Sequence, residues 1–376
     1  CSRRTTDSFA GATTFPLQGL RAALGDVFTR ATSPIWQDSS TSVECDEIRR
    51  ALGGAEGAAR ATGSDVFERF TGPQIRRFYR TEPAAWERTA HVALVSSFVT
   101  SLLAGRLAPI DHADGAGMNL MDVATRDWHA GALRATAPDL ARRLGPLAPS
   151  PIAIGPIAPW FSKRCGFAPD TLVLAGTGDN PSSLVGVGLV EPGQAAISLG
   201  TSDTFFACLD APSIDPTGQG HLFGSPTGDW MALLCVRNGS LARERVRDQF
   251  GLDWRGFSEA IASTPPGNAG KVLLPWFEPE IAPRLAHPRV ERHGGLSPAD
   301  AAGHCRAVVE AQLTSIRLHS AWIGDRPRAI RTTGGASANP AILRILADVF
   351  DCPVQRFRST HGAALGAALR AHHGHL

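Results

Sequence analysis

The chain has 376 residues, 43% of them hydrophobic and 19% charged, which supplies a full core and excludes an intrinsically disordered protein. Thirty-seven basic against 35 acidic residues leave a net charge of +2, so a general polyanion-binding surface, and nucleic acid as a partner, are excluded. The seven cysteines (1, 45, 165, 208, 235, 305 and 352) contain no C-x-x-C pair, which fits reduced thiols in a cytoplasmic compartment rather than a zinc site or a disulfide framework.

Residues 1–33 carry neither a signal-peptide core nor clear periodicity. The chain starts at Cys1 rather than methionine, so a processed or incomplete chain is expected. Thr41-Ser42-Val43-Glu44 predicts a capping box opening a helix that Gly53-Gly54 closes. The apolar stretch 92–105 is broken by Ser96, Ser97 and Ser101 and stopped by Arg106, which predicts a buried helix and no membrane span. Prolines 146, 149, 151, 156 and 159 mark 144–161 as a linker or surface loop.

A short strand at 171–175 runs into Gly176-Thr177-Gly178-Asp179-Asn180-Pro181, where Asn180 suits an N-cap and Pro181 the first helical turn. Strands at 195–199 and 204–209 flank a tight Gly200-Thr201-Ser202 turn. Ser297-Pro298 is expected to open a helix with the apolar stripe Cys305, Val308, Val309, Leu313, Ile316. A strand at 329–332 leads through Gly334-Gly335 to a helix capped by Asn339-Pro340, with Ile342, Leu343, Leu346 and Val349 inward. A last strand follows at 354–357. The alternation is that of an α/β protein, with seams expected at the proline-rich stretch or near Glu191-Pro192-Gly193. The tail histidines 372, 373 and 375 read as a solvated end, and no metal site is expected.

Three places could carry chemistry. Asp179 follows a strand, in a glycine-flanked turn at a helix start, where α/β folds place ligands. It is either a general base taking a proton from a hydroxyl, with Asn180 bonding a neighbouring oxygen, or a turn aspartate beside a cap. Thr201 and Ser202 lie on a hairpin tip that either offers donors to phosphate oxygens or is an ordinary turn; the lysine and spacing of a P-loop are missing. Gly334-Gly335 either leaves room for a flat ring against the backbone or serves as a packing turn.

In this order, and with PIWQDSS (34–40), FERFTG (67–72), DGAGMNL (114–120), GTGDNPSSLVG (176–186), ISLGTSDTFF (197–206), MALLCVRNGS (231–240) and TTGGASANP (332–340), the chain resembles the FGGY carbohydrate kinases. Within that family it is most similar to the eukaryotic-type members that act on xylulose. The resemblance implies an actin-like (sugar kinase/Hsp70/actin) ATPase fold of two lobes. Residues 34–190 would form part of the sugar-binding N-terminal domain and 191–376 the nucleotide-binding C-terminal domain, with 1–33 poorly matched. It implies transfer of the γ-phosphoryl group of ATP, with Mg²⁺, to the O5 hydroxyl of D-xylulose. Asp179 would be the base. Arg69 and Asn180 would bind sugar hydroxyls, with Trp36 and Asp38 helping to wall the cleft. Thr201 and Ser202 would face the phosphates. Gly334, Gly335, Ala336 and Asn339 would floor the adenosine, beside Trp254. The family's Asp-x-[Gly/Ser]-Thr phosphate motif and its Gly-Gln-Gln-His-Gly-like segment are not found in 1–376. The first lobe is therefore expected to be truncated at its N-terminus, and the 376-residue chain alone is expected to consume little ATP. A non-catalytic sugar- or nucleotide-binding relative and an FGGY kinase for another sugar or polyol are the alternatives.

Overall fold

Glycine at 53 and 54, with φ of +86° and +91°, turns the chain between its first two described helices in a conformation that costs other residues a Cβ clash. The computed structural model describes residues 27–357 and 361–375. They divide into two units. The first takes the chain up to Gly186 together with Phe223–Trp230 and the stretch from Ala363, and the second takes Val187–Leu222 and Met231–Gly362.

In the first unit, α1 (Ser42–Ala51), α2 (Gly54–Thr62), α3 (Thr71–Thr81), α4 (Pro83–Arg88) and α5 (Val95–Ala104) lead to β1 (Ile110–Asp111) and α6 (His112–Gly117). Then come α7 (Ala130–Thr136), α8 (Leu140–Arg143), β2 (Leu147–Ala148), β3 (Ala153–Pro156), α9 (Pro159–Cys165), β4 (Leu172–Leu174) and α10 (Asp179–Gly186). β1 pairs with β2 in parallel and β3 with β4 in antiparallel register. Ile75, Phe78, Trp86, Ile110, Met118, Leu120 and Leu133 fill one core cluster.

Three expectations are corrected here. The α1 helix forms without a capping box: the Thr41 hydroxyl donates to the Glu68 carbonyl at 2.8 Å, a tertiary contact that outcompetes the local cap. Helix α5 forms but is buried on one face alone: Ser97, Thr100 and Ala104 are buried, whereas Val95 and Val99 remain 80% and 46% exposed. The proline-rich stretch is not a linker; it supplies β2, β3 and the start of α9 inside the first unit.

The second unit carries β5 (Gln194–Leu199), β6 (Asp203–Leu209), the first two residues of β7 (His221–Gly224), β8 (Trp230–Val236) from Met231 onward, α11 (Ser240–Gln249), α12 (Trp254–Ser263), β9 (Val272–Trp276), β10 (Arg289–His293), α13 (Ala301–His319), β11 (Ala329–Thr333), α14 (Pro340–Phe350) and β12 (Val354–Arg356). Six strands form one sheet in the order β12-β11-β5-β6-β8-β7, and β11 lies parallel to both β5 and β12. The stripe Cys305, Val308, Val309, Leu313, Ile316 of α13 is buried in the core as its spacing predicts. That helix starts at Ala301 rather than Ser297-Pro298, because Asp300 Oδ1 takes the Gly303 amide at 2.8 Å and so defines the cap. Asn339 caps α14 as expected, accepting from the Ala341 amide at 3.0 Å. Its inward face is Ile342, Ile345, Leu346 and Phe350, with Leu343 and Val349 only partly buried.

Helix α15 (Gly362–His373) completes the first unit. A Cβ at Gly366 would stand 1.7 Å from the Ser182 carbonyl oxygen, so α15 and α10 meet backbone to backbone. The described residues contain no group of His, Cys, Asp and Glu that could hold a metal ion, the tail histidines 372, 373 and 375 included. No helix among them is long and apolar enough to cross a membrane.

Under the β5–β6 hairpin, Asp203 and Arg243 form a buried ion pair with contacts of 2.8 and 3.0 Å. Burial raises the Asp203 carboxyl, opposed by the Arg243 guanidinium. Removing one member leaves the other as an uncompensated buried charge. Asp203→Ala should therefore lose about 3–5 kcal/mol in chemical denaturation, and replacing both residues by apolar ones should cost less than that single change.

Candidate active site

Asp179 and Asn180 are exposed at the start of α10, directly after the loop that leaves β4. The Ser182 amide donates to the Gly178 carbonyl at 3.2 Å, so Gly178 occupies the cap position and Asn180 lies within the first turn. Asn180 is thus not the N-cap; its amide is taken instead by Asp179 Oδ1 at 2.8 Å. The glycines of this loop make room for protein. A Cβ at Gly176 would meet the Ser96 carbonyl oxygen and Thr100 Oγ1 at 2.7 Å, and one at Gly178 would meet Asp114 Oδ1 at 2.8 Å.

Behind the loop lies a polar cluster that motif reading missed. Asp114 Oδ1 accepts from the Gly178 amide at 2.8 Å, and its Oδ2 accepts a short hydrogen bond from the Ser96 hydroxyl. Asp111 Oδ1 accepts from the Asp114 amide at 2.8 Å and so caps α6, while its Oδ2 accepts from the Ser150 hydroxyl. Arg370 of α15 donates to the carbonyls of Ser150 at 3.2 Å and Ala175 at 3.1 Å. Burial, then the charge of Asp111, pushes the Asp114 carboxyl up to about 7, and burial raises Asp111 as well. The available signal was the D-x-x-D spacing at the start of DGAGMNL, an acid at a cap followed by one in the first turn.

Arg69 stands in the turn between α2 and α3, its guanidinium 5.6 Å from the Phe67 ring centroid and 6.0 Å from that of Phe70. With Trp36, Gln74, His91 and Phe98 it lines a cavity of about 510 Å³. Asp38, Asp179 and Asn180 are not among the lining residues. The Asp38 carboxylate instead accepts from the Ser40 hydroxyl and amide and from Gln74, bonds that hold it below the usual carboxylate range. The arginines of α3 form a paired, charged face, as when Arg76 and Arg80 both donate to Glu47, at 2.7 and 3.0 Å.

The remaining candidates lie in the second unit. Thr201 and Ser202 are exposed at the β5–β6 tip. From beneath, the Ser240 amide donates to the Gly200 carbonyl at 2.8 Å, and Gly239 approaches so closely that a Cβ would sit 2.7 Å from the Thr201 carbonyl oxygen. Gly334, at φ +84°, lies against the end of β5, where a Cβ would be 2.4 Å from the Leu199 carbonyl oxygen. Gly335 has nothing within 4 Å of its Cβ position and leaves an open face, with Ala336 half-buried beside it. Asn339 Nδ2 donates to Ser258 Oγ at 2.8 Å, tying the start of α14 to α12. Trp254 of α12 is 44% exposed, not a core residue, and the Arg247 guanidinium lies 4.4 Å from its ring centroid. Exposed hydroxyls, a bare glycine face and an accessible ring backed by a cation suit phosphate oxygens and a flat aromatic ligand.

The FGGY family of carbohydrate kinases matches this chain with its N-terminal domain over residues 28–186 and its C-terminal domain over 195–375. The chain belongs to the FGGY family. This FGGY kinase is 41% identical over 379 residues to a xylulose kinase of Rattus norvegicus, covering 99% of the chain and 70% of that relative. It is also 41% identical to xylulose kinase 2 of Arabidopsis thaliana, covering 96% of the chain and 67% of the relative. Among solved structures, the xylulose kinase of Rhodospirillum rubrum superposes with a TM-score of 0.81 at 24% identity, over 90% of this chain and 70% of that one. The FGGY kinase thus has the actin-like α/β ATPase fold of the sugar kinases.

A methyl group at position 178 would push the loop away from Asp114. Gly178→Ala should lower turnover by about 10²-fold, the scale of a 1 Å misplacement at a reacting centre. Steady-state kinetics, with far-ultraviolet circular dichroism to confirm the fold, checks this.

Proposed function

We propose that this FGGY kinase transfers the γ-phosphoryl group of ATP to the O5 hydroxyl of D-xylulose, giving D-xylulose 5-phosphate. The observation that carries the reading is the 41% identity to a xylulose kinase over 99% of the chain. Residues 34–190 are read as the sugar-binding domain and 191–376 as the nucleotide-binding domain, although residues 1–26 lie outside the described part. The partners are small molecules, and the setting is the cytoplasm; the thiols of Cys45 and Cys305, both buried and outside any disulfide, suit a reducing compartment.

Asp179 accepts the proton of the attacking hydroxyl, and its exposure at a helix start leaves the carboxylate free to meet substrate. Asn180 and Arg69 hold neighbouring sugar hydroxyls. Thr201 and Ser202 donate to the phosphates. Gly334, Gly335, Ala336 and Asn339 support the adenosine, with Trp254 beside it. Phosphoryl transfer passes through a loose transition state, so positioning and charge neutralisation supply most of the acceleration. The described residues do not form a metal-binding group. Mg²⁺ would accompany ATP and neutralise charge on its phosphates.

Asp179→Ala in the full-length protein should lower kcat by about 10²–10⁴-fold with ADP affinity unchanged, as removal of a general base requires. Retained turnover would take Asp179 out of that role. Gly335→Phe fills the open face from a Cβ position with nothing within 4 Å, so it should weaken ADP binding at least about tenfold, a loss near 1.4 kcal/mol by calorimetry. Sugar-dependent ADP release across ketoses, polyols and sugar acids should rank D-xylulose first; another preferred acceptor would reassign the substrate.

A further inference from the structure

The polar cluster behind Gly178 does not touch the exposed face of α10, yet it fixes the backbone that presents it. Glycine at 176 and 178 leaves the loop wide conformational freedom, so the direction in which Asp179 leaves it has to be set from outside. Two anchors reach that backbone from side chains. Asp114 Oδ1 holds the Gly178 amide at 2.8 Å, and Arg370 holds the Ala175 carbonyl at 3.1 Å. Asp114 is itself fixed, by Asp111 on its amide and Ser96 on its second oxygen.

We propose that Asp114 is a positioning residue for the phosphoryl-transfer step, aiming the Asp179 carboxylate through the Gly178 amide. The proposal rests on the reading of Asp179 as the base. The charged groups facing Asp114 are the Asp111 carboxyl and the Arg370 guanidinium. Burial and the repulsion of Asp111 favour a proton on Asp114 at and below neutral pH. In that form Oδ2 donates to Ser96 Oγ while Oδ1 still accepts from Gly178, so the anchor survives protonation. Asparagine reproduces this arrangement, with Oδ1 facing Gly178 and Nδ2 facing Ser96, whereas alanine removes both bonds.

The test compares Asp114→Ala, Asp114→Asn and Asp179→Ala in the full-length protein. Asp114→Ala should lower kcat by about 10²-fold, with the sugar KM and ADP affinity changed by less than about threefold, because aim rather than binding is lost. Amide hydrogen exchange across 176–180 should speed up in the same variant. Asp114→Asn should restore most of the lost kcat and the slow exchange. The pH profile of stability adds a separate reading. The raised carboxyl binds a proton in the folded state that it lacks unfolded, so wild-type stability should fall as pH rises from about 4 to about 7, and Asp114→Asn should lessen that fall, leaving the part due to Asp111, which burial also raises. Wild-type kcat and exchange in Asp114→Ala, or equal impairment of Asp114→Ala and Asp114→Asn, would overturn the proposal. If Asp179→Ala kept its turnover, the base assignment would fail, while loop exchange in the Asp114 variants would still judge the anchor. Should Asp114→Ala not fold, Ser96→Ala removes the partner of Oδ2, and unchanged loop exchange there would count against the anchor.

Discussion

An exposed carboxylate on a flexible loop aims at nothing unless the loop is held from behind. The bond from the Gly178 amide to Asp114 does that holding, and most of what surrounds Asp179 makes the bond possible. The two glycines let the loop lie against α5 and Asp114 without a Cβ in the way. Asp111 caps α6 and sets the height of Asp114. Arg370 joins the carbonyls of Ser150 and Ala175, so a residue late in the sequence completes a site whose other parts lie before residue 180. Buried carboxyls are tolerated only when hydrogen-bonded and near compensating charge, and both conditions are met here.

The second unit solves a similar problem with a different charge balance. Thr201 and Ser202 stay exposed because the residues next to them do not. Asp203 turns inward to Arg243, which also donates to Gln312 at 2.8 Å, and Gln312 in turn donates to the carbonyls of Asn238 and Gly239 at 2.6 and 2.9 Å. The hairpin tip therefore stands on a buried hydrogen-bonded network, in which Arg243 Nε is left without a partner, rather than on its own turn chemistry. Gly334 adds a contact to the end of β5 that an L-residue could not make at its φ of +84°. Its neighbour Gly335 carries no such constraint. One glycine of the pair is required by packing, and the other is left available to a ligand.

Local chemistry made much of this readable from the amino-acid sequence. Strand–glycine–acid at 176–180, the hairpin at 194–209 and the Asn339 cap all rest on short-range rules, and they appear within a residue or two of where those rules put them. The misplaced helix caps share a cause: a side chain with two possible partners chose the one that the sequence does not show. Thr41 bonds Glu68 instead of capping α1, and Asp300 displaces Ser297 as the start of α13. Asp179 takes the amide of Asn180 instead of leaving Asn180 to cap α10. Asp114 was hidden for the same reason. Its importance comes from a contact 64 positions along the chain, to a backbone amide that has no sequence signature.

The tight seam at Gly366 bears on how the molecule is made. Its first unit closes only when the helix beginning at Gly362 packs against Ser182, so a segment made long after α10 completes a structure begun by the earliest described residues. Until then, a nascent chain would hold the approach to Asp179 without its arginine and with α10 uncovered on one side. Completion of the corner around Gly178 thereby waits for a distant segment, and pairings so far apart along the chain form slowly.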